Sequence, residues 1–434
     1  MALTAAEQYL LELINRARLD PAGEAARYGI DLNAGLAAGT ISTASKQVLA
    51  PNALLENAAI GHSQWMLAAD VFSHTGSGGS QPWDRAAQAG SGWSGVGENI
   101  SWRGSTGTLD LNAAIAAHHQ SLFLSTTGHR QNMLNGSYQE IGIAQEYGSF
   151  TQSGGSYNSS MLTELFGRPA ATTAFLTGVI YSDTDRNSFY SIGEGVGSAT
   201  IAAQGKSVAS AVAGGYALAL TAASAVAVTG QLGALSYSFT IGMGSGNVKV
   251  DIVNQNTLLS SGAITLKLGL NHVSLLGNAG LTAGGNANDN VMTGNAGANR
   301  MDGVAGRDVL RGMNGNDYLI GGLGNDTLLG GNGADRIEGG AENDMLSGNA
   351  GGDTFIFGNN FGRDTLTDFA KSAGDRLQFD DLIWGSTALS AQQVVSQFAH
   401  VVAGTVVFEF SANEVITLTG VTSTVGLADA LMIV

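Results

Sequence analysis

The chain has 434 residues, of which 44% are hydrophobic and 12% are charged, so we expect several folded domains rather than a disordered chain. Its formal net charge of -16 argues against nucleic acid and an anionic membrane surface as partners, because both require clustered Lys and Arg, and it favours divalent cations. The sequence contains no Cys, which excludes disulfides and thiolate metal ligands.

Residues 1–170 have an α+β pattern. Apolar residues recur with helical periodicity at 4–18, 52–70 and 110–124. Thr4 and Glu7 have the spacing of a capping box at the start of the first helix. The runs IGIAQEY and SMLTELF that follow predict strands. The first residues contain neither a basic stretch nor an unbroken apolar run, so we expect no cleaved signal peptide.

Several short motifs of this segment occur in the order and spacing of the CAP superfamily, the cysteine-rich secretory, venom-antigen and plant pathogenesis-related proteins. They are HSQWM, FSHTGSGGSQPWDR, GVGENI, TTGHRQNMLN, EIGIA and LFGRP. The resemblance implies an α-β-α sandwich whose central cleft holds two His and two acidic residues. The matching residues are His74, Glu98 and His129. The place of the second acid falls near Ser121 or Leu122, where the sequence has no acid.

The chemistry of this cleft has two interpretations. Two imidazoles and a carboxylate could hold Zn²⁺ with one position open to water, which makes His74 and His129 the possible zinc ligands, and Glu98 could instead act as a base. Alternatively, the two His hydrogen-bond the loops together and Glu98 accepts from backbone amides. His62, His118 and His119 lie on predicted helices, where we expect packing roles.

Two classes of hydrolase lack their motifs in this chain. No G-x-S-x-G elbow occurs, which argues against nucleophilic catalysis, and no H-E-x-x-H occurs, which excludes a serralysin-type zinc protease. We therefore assign no catalytic residue.

Residues 172–268 predict a small β-sandwich, because short alternating runs are separated by Gly. The uncharged stretch 207–247 alternates with period two and is broken by Gly pairs. It therefore predicts strands rather than a membrane span.

The segment DTDRNSFYSIGE within this region has the spacing of an EF-hand-type calcium loop. The expected ligands are Asp183, Asp185, Asn187, Phe189 through its carbonyl, and Glu194. Position 6 is Ser188 instead of Gly, at a turn that prefers a positive φ. The alternative is a polar β-turn without metal. The loop and its strands resemble the Cna-B and SdrD type B repeat sandwiches of surface proteins.

Residues 285–356 repeat the nine-residue frame G-G-x-G-x-D-x-U-x through eight units. The apolar U position holds Met292, Met301, Leu310, Leu319, Leu328, Ile337, Leu346 and Phe355. The acidic position holds Asn290 and Asn299, then Asp308, Asp317, Asp326, Asp335, Asp344 and Asp353. Since one unit cannot bury an apolar face alone, we expect the coils to stack, with residues 18 apart in one column if two units form a coil.

Stacked carboxylates at the roughly 4.8 Å spacing of β-strands repel one another unless a cation lies between them. Ca²⁺ takes oxygen ligands, and Gly turns expose backbone carbonyls that complete its shell. The segment resembles the RTX parallel β-roll, so we expect calcium at the six Asp and folding that depends on it. Asn290 and Asn299 are expected to bind weakly or to act as caps.

Residues 357–434 predict a β-rich cap with a helix at 390–400. This region resembles the C-terminal part of RTX exoproteins that are exported by type I secretion. The resemblance implies an uncleaved C-terminal signal, the type I secretion apparatus as a partner, and a location outside the cell, either free or at the cell surface.

The chain is thus expected to be multidomain, with an α+β sandwich followed by an all-β sandwich and a parallel β-roll. The favoured function is a secreted calcium-binding protein whose cleft binds a small or lipid-like ligand or an extracellular polymer, with calcium and a possible zinc ion. The alternative is an extracellular adhesin or matrix protein with a vestigial cleft. A metal-dependent hydrolase comes third, because the second acid and a nucleophile are missing.

Overall fold

The computed structural model describes residues 2–90, 92–171, 173–385 and 388–434. The chain divides into two compact units. The first consists of the residues up to Leu235 together with Gly242–Gln255, and the second of Ser236–Ile241 with Asn256–Val434.

The helices of the first unit confirm the helical periodicity of the sequence. They are α1 (Ala5–Leu19), α2 (Pro21–Arg27), α3 (Ala53–Ala69), α4 (Pro82–Ala89), α5 (Leu111–Leu124) and α6 (His129–Met133). The capping box is present at the start of α1: the Thr4 hydroxyl accepts from Glu7 N, and the Glu7 carboxylate accepts from Thr4 N at 2.9 Å. This reciprocal pair satisfies backbone donors that a helix N-terminus leaves free.

A sheet with the strand order β1-β3-β4-β2 forms the middle layer of the sandwich. Its strands are β1 (Ala50–Pro51), β2 (Trp93–Ser105), β3 (Glu140–Gln152) and β4 (Gly155–Pro169). Side chains of a strand alternate between faces. Ile143 packs with Leu10 of α1 and Ile115 of α5, whereas its neighbour Ala144 packs with Leu55 of α3. The helices therefore cover both faces, as the fold class predicts.

Gly142 of β3 allows helix α3 to lie very close to the sheet. A Cβ on Gly142 would overlap the backbone of Leu55 and Glu56, so only a residue without a side chain lets α3 lie this near the sheet.

The segment that follows forms strands, as the alternating runs predict. They are β5 (Ala174–Tyr181), β6 (Thr200–Ala203), β7 (Lys206–Ala209), β8 (Gly215–Leu220), β9 (Ala223–Leu232), β10 (Leu235–Met243) and β11 (Val248–Val253). β5 pairs with β11 in parallel and with β8 in antiparallel orientation, and β6 pairs antiparallel with β7 and β9. In the part of the chain described, no helix is long and apolar enough to cross a membrane.

A buried ion cluster joins α1 to β11 within the first unit. Lys249 Nζ lies 2.7 Å from Glu12 Oε2 and also contacts the Asp251 carboxylate, and all three residues are buried. Close by, Asn247 donates to the carbonyl oxygens of Val48 and Gln139. The sandwich of residues 2–171 and the strands β5 and β11 thus share buried polar contacts.

The second unit contains a parallel β-solenoid. Its strands are β12 (Thr257–Ser260), β13 (Ile264–Leu268), β14 (His272–Leu275), β15 (Thr282–Gly284), β16 (Val291–Thr293), β17 (Arg300–Ala305), β18 (Val309–Asn314), β19 (Tyr318–Leu323), β20 (Thr327–Asn332), β21 (Arg336–Ala341), β22 (Met345–Ala350), β23 (Thr354–Phe357), β24 (Arg363–Leu366) and β25 (Arg376–Phe379). Met301 pairs with Leu319 and Leu310 with Leu328, which is a shift of 18 residues. Two nonapeptide units therefore make one coil, and every U residue is fully buried.

Parallel stacking continues on both sides of residues 285–356. Leu258 pairs with Val273 before the repeats, and Leu377 pairs with Leu431 after them. The end of the chain adds α7 (Ala391–Phe398), β26 (Ala399–Val402), β27 (Thr405–Glu409), β28 (Val415–Leu418) and β29 (Leu431–Ile433). The helix expected at 390–400 is present, whereas the domain boundaries at 170, 268 and 356 remain predictions.

Candidate functional site

The repeat carboxylates form two regular columns inside the roll. One oxygen of each Asp accepts a backbone N–H from one coil earlier: Asp326 Oδ1 accepts from Asp308 N at 2.7 Å, and Asp335 Oδ1 accepts from Asp317 N at 2.7 Å. The other oxygen is buried and has no hydrogen-bond partner among the described residues. This holds for Oδ2 of Asp308, Asp317, Asp326, Asp335, Asp344 and Asp353.

Gly residues surround each unpartnered oxygen. A Cβ on Gly303 would overlap Asp308 Oδ2 and would lie 2.6 Å from the carbonyl oxygen of Gly321. A carboxylate oxygen and a backbone carbonyl oxygen therefore face the same small space. A buried acceptor without a donor is costly, and oxygens of these two kinds are the ligands of Ca²⁺, so the residues fit a calcium ion.

The electrostatics agree with this fit. Burial and the neighbouring Asp326 carboxylate raise the pKa of Asp308 to about 7, and burial raises the pKa of Asp317 to about 7. Without a cation, the ladder resists ionisation at neutral pH. A bound divalent ion would remove that penalty.

The ladder extends beyond the eight units that the sequence frame identifies. Asp364 Oδ1 accepts from Asp344 N at 2.9 Å, and Asp375 Oδ1 accepts from Asp353 N at 3.0 Å. Asp364 Oδ2 is another buried oxygen without a partner in the described chain. Sequence reasoning missed both residues because their spacing is 20 and 22 instead of 18. The signal that could have found them is an Asp two residues before a buried Leu, Leu366 and Leu377.

The two Asn units differ from the Asp units in their hydrogen bonds. Asn290 Oδ1 accepts from Asn286 N at 2.8 Å, and its Nδ2 donates to Asn271 O at 3.1 Å. Because the amide satisfies itself with protein partners, this end of the roll needs no cation at that position.

The predicted EF-hand-type loop brings three carboxylates together. Oxygens of Asp183, Asp185 and Glu194 lie within 4.8 Å of one another, close enough to share one metal ion. Ser188 has φ 61°, the positive value expected at position 6. Asn187 hydrogen-bonds Asp185 Oδ2 at 2.9 Å. The Phe189 ring contacts helix α1, where the Arg16 guanidinium lies 4.9 Å from its centroid.

Glu98, one of the predicted cleft residues, contacts several polar side chains. It lies on β2 with its carboxylate buried, and its Oε1 is 2.9 Å from His74 Nδ1. Its Oε2 accepts from Arg85 Nη2 of α4 at 2.6 Å, and Oε1 also lies 3.7 Å from His62 Nε2. The charge of Glu98 is thus balanced by a guanidinium.

His129 lies near His74, at the start of α6. Its ring centroid is 6.4 Å from that of His74, and its Nδ1 is 2.9 Å from Ser125 Oγ. Burial lowers the pKa of His129, with His74 as a second cause, so its ring is neutral near pH 7. The structure thus brings His74 and Glu98 into contact and sets His129 opposite them.

A cavity of about 350 Å³ opens beside His129 and is lined by Ser121, Leu122 and Ser125 among others. This is where the sequence places the missing second acid, and no Asp or Glu is among the described residues that line the cavity.

Sequence reasoning missed Arg85 and the closeness of His62 to Glu98. The available signal was the basic residue in FSHTGSGGSQPWDR, three residues into a helix that begins at Pro82. His62, His118 and His119 lie on helices and are buried. His118 bridges Ser101 Oγ at 2.7 Å and Ser160 Oγ at 3.0 Å, and His119 Nε2 is 3.0 Å from Glu24 Oε1.

His118 predicts a pH dependence of the first unit. Burial, with Arg103 as a second cause, lowers the pKa of His118 to about 3. The folded protein keeps the ring neutral while the unfolded chain takes up a proton below about pH 6.5, so stability falls as the pH drops from about 6.5 towards 3. At pH 5, protonation of His118 in the unfolded chain lowers the free energy of unfolding by about 2 kcal/mol.

We therefore expect the drop in unfolding free energy from pH 7 to pH 5 to be smaller in His118→Gln than in the wild type. Tryptophan fluorescence in a denaturant titration measures it, because Trp65, Trp83, Trp93 and Trp102 lie in this unit. Replacing the exposed His400 with Gln serves as the control. Equal pH sensitivity of the His118→Gln variant and the wild type would contradict the prediction.

Two families match parts of the chain. The model of the cysteine-rich secretory protein family, CAP, matches residues 11–159. The RTX calcium-binding nonapeptide repeat matches residues 293–328 and 329–366, which include all six predicted Asp ligands of the roll. No curated protein matches the chain.

Solved structures are similar to parts of the chain at low identity. An outer surface protein from Borrelia burgdorferi is 18% identical over 28% of this chain and 77% of that chain, with a TM-score of 0.21. An extracellular protein containing a SCP domain from Bacillus anthracis is 25% identical over 28% of this chain and 34% of that chain, with a TM-score of 0.21. NaASP2, solved with Zn²⁺, is 20% identical over 38% of this chain and 81% of that chain, with a TM-score of 0.26.

The α-β-α sandwich, the stacked coils and the two family matches lead to one assignment. The chain carries a CAP domain in its N-terminal part and, towards its C-terminus, RTX repeats that bind calcium in a parallel β-roll.

Proposed function

We propose that this is a secreted, calcium-stabilised protein whose CAP cleft binds a ligand at a divalent metal ion held by His74 and His129. CAP domains and RTX repeats are typical of secreted proteins. The observation that carries the proposal is the contact between Glu98 Oε1 and His74 Nδ1 at 2.9 Å.

The contact supports an orienting role for Glu98. A metal-binding His commonly donates its other ring N–H to a carboxylate, which sets the ring orientation and makes the free nitrogen a better ligand. Glu98 pairs with Arg85 through its other oxygen, so it is poorly suited to be a ligand itself. His74 Nδ1 and His129 Nδ1 are both engaged within the described protein, which leaves Nε2 of each ring for a metal ion.

The donor set predicts binding rather than turnover. A catalytic zinc ion has three protein ligands and one open position, whereas this cleft offers two His and no second acid. When bound, the ion would supply Lewis acidity towards a ligand that completes its coordination. The cavity beside His129, which Ser121 and Leu122 help to line, is small and partly apolar. A small or lipid-like ligand or the end of an extracellular polymer fits this cavity.

Calcium has a second proposed place in the protein. Asp183, Asp185 and Glu194 would bind one ion in the loop between β5 and β6, with Asn187 and the Phe189 carbonyl as further ligands. The location outside the cell, the type I route and a Cna-B-like middle sandwich also belong to this proposal.

Elemental analysis of the full chain in excess calcium tests the cleft. After dialysis against trace zinc, we expect nearly one zinc per wild-type chain and almost none in His129→Ala, because one imidazole cannot hold the ion alone. The variant His400→Ala removes an exposed His and should keep the metal.

The variant Glu98→Gln tests whether Glu98 orients His74 or binds the metal ion itself. Loss of an orienting carboxylate weakens metal binding by about 10- to 100-fold instead of abolishing it. Equal zinc content in the wild type and in His129→Ala would refute the metal site and favour His residues that only connect loops.

A further inference from the structure

A second cavity lies between α3 and α4, on a different wall of the first unit. It measures about 460 Å³ and shares no lining residue with the cavity beside His129. Polar side chains form part of its wall, including Asn57, Ser80 and Gln88, and the Trp65 ring adds an aromatic surface. Neither family match assigns a role to it.

Two buried polar atoms of this cavity have no partner among the described residues. They are His62 Nδ1 and Arg85 Nε, on residues that both line the cavity. His62 is 1% exposed, and the Arg85 side chain is 9% exposed. Buried polar groups in native proteins are nearly always hydrogen-bonded, so a pair of unpartnered atoms at one cavity indicates a polar group that binds there.

The two atoms have opposite hydrogen-bonding roles. His62 Nε2 lies 2.9 Å from the Ser73 carbonyl oxygen, which can only accept, so this nitrogen carries the proton. Burial lowers the pKa of His62, which keeps the ring neutral and leaves Nδ1 as an acceptor. Arg85 Nε is a donor under all conditions.

Three polar atoms lie close together beside Gly76, at the edge of the cavity. A Cβ on Gly76 would lie 2.9 Å from Arg85 Nη1, 2.9 Å from Ser80 Oγ and 3.1 Å from His62 Nδ1. A small group in the cavity beside these atoms can donate to one of them and accept from another. A hydroxyl has both capacities, whereas a carboxylate only accepts and an ammonium only donates.

The charges favour an uncharged ligand. Arg85 already pairs with Glu98 at 2.6 Å, so the guanidinium offers hydrogen bonds without a net positive field. The Trp65 ring stacks on His62 with centroids 5.7 Å apart and planes 10° apart, which holds a flat apolar surface beside the polar groups. Binding sites combine such an apolar surface with a few fixed polar groups that select the ligand.

We propose that this cavity binds a neutral carbohydrate, with one sugar hydroxyl between His62 Nδ1 and Arg85 and the apolar face of the ring against Trp65. This goes beyond the proposed function, since it involves neither the His74 and His129 metal site nor calcium.

Saturation-transfer NMR on the full, calcium-loaded chain tests the proposal. The probes are the methyl glycosides of glucose, galactose and mannose and that of N-acetylglucosamine, each compared with its fully O-methylated form, which keeps the ring but has no hydroxyl that can donate. We expect transfer to at least one free glycoside with millimolar affinity, and none to its methylated form, because His62 Nδ1 needs a donor.

Two variants locate the binding. Gly76→Ala places a methyl against Arg85 Nη1, Ser80 Oγ and His62 Nδ1 while its φ of -98° suits an L-residue, and Ser80→Ala removes one of these polar groups. We expect Gly76→Ala to lower the affinity by at least about tenfold, the scale of one lost hydrogen bond. Gly61→Ala adds a methyl at the cavity wall where no atom outside its own helix lies within 4 Å. Its affinity for the glycoside should therefore stay within about twofold of that of the wild type.

Three results would overturn the proposal: no transfer to any of the four glycosides, equal transfer to the methylated forms, or unchanged affinity in both Gly76→Ala and Ser80→Ala. The zinc content of Ser80→Ala should equal that of the wild type. Failure of this proposal and failure of the metal site are therefore distinguishable.

Discussion

Removal of calcium should unfold the β-roll while leaving the helices of the CAP domain in place. Without a cation, the buried Oδ2 atoms of the six repeat Asp have no partner among the described residues, and burial opposes the ionisation of Asp308. Structural metal sites of this kind supply folding free energy directly. Even one site at a hundred times its Kd contributes about 2.7 kcal/mol, and the columns hold several such sites.

Circular dichroism of the full chain in excess chelator measures this result. We expect loss of most of the β signal and recovery at millimolar Ca²⁺ but not at the same concentration of Mg²⁺, which demands a smaller octahedral shell. Asp335→Asn should raise the calcium concentration at which half of the β signal is recovered. Asp302→Asn, whose side chain is 38% exposed on the outside of the roll, should leave it unchanged. Identical spectra with and without calcium would contradict the assignment of the ladder.

Lys249→Met should lower the stability of the first unit by about 3 to 5 kcal/mol, the usual cost of removing one partner from a buried ion cluster. Burial alone lowers the pKa of Lys249, but Asp251 and Glu12 raise it overall, so the ammonium is charged in the folded protein. Burial raises the pKa of Glu12 even though Lys249 attracts its charge. Without Lys249, two buried carboxylates face each other with no cation.

Tryptophan fluorescence during denaturant unfolding measures the effect on the CAP domain. The exposed Lys206→Met variant is the control and should stay within about 0.5 kcal/mol of the wild type. Adding Glu12→Gln and Asp251→Asn to Lys249→Met removes the uncompensated charges and should restore much of the loss. An unchanged unfolding midpoint in the single variant would show that α1 and β11 do not stabilise each other through this cluster.

The roll shows why some structural features can be predicted from the sequence. Leu310 and Leu328 are one coil apart and have the same neighbours, so a single nine-residue frame describes the environment of every U residue. The helix α1 is similarly readable, because the cap formed by Thr4 and Glu7 involves residues three apart. In both cases the interaction is either local or repeated at a constant interval.

Asp364 and Asp375 show where that reasoning stops. Both continue the columns of Asp344 and Asp353, but the loops before them are longer, so the constant interval is lost. Their role depends on which strands stack, which is a property of the folded chain.

The sequence by itself determined the regular Asp columns of the roll and the capped first helix, and the resemblance to the CAP superfamily predicted two His and one Glu as cleft residues. Only the tertiary structure decided the partners of Glu98, because Arg85 and His62 come from α4 and α3 and reach β2 through packing of non-repeating segments. The same holds for the cluster of Lys249 with Glu12, which lie far apart in the chain. Hydrogen bonds and ion pairs between distant segments depend on side-chain direction and burial. Such contacts produce no periodic pattern in the sequence from which they could be predicted.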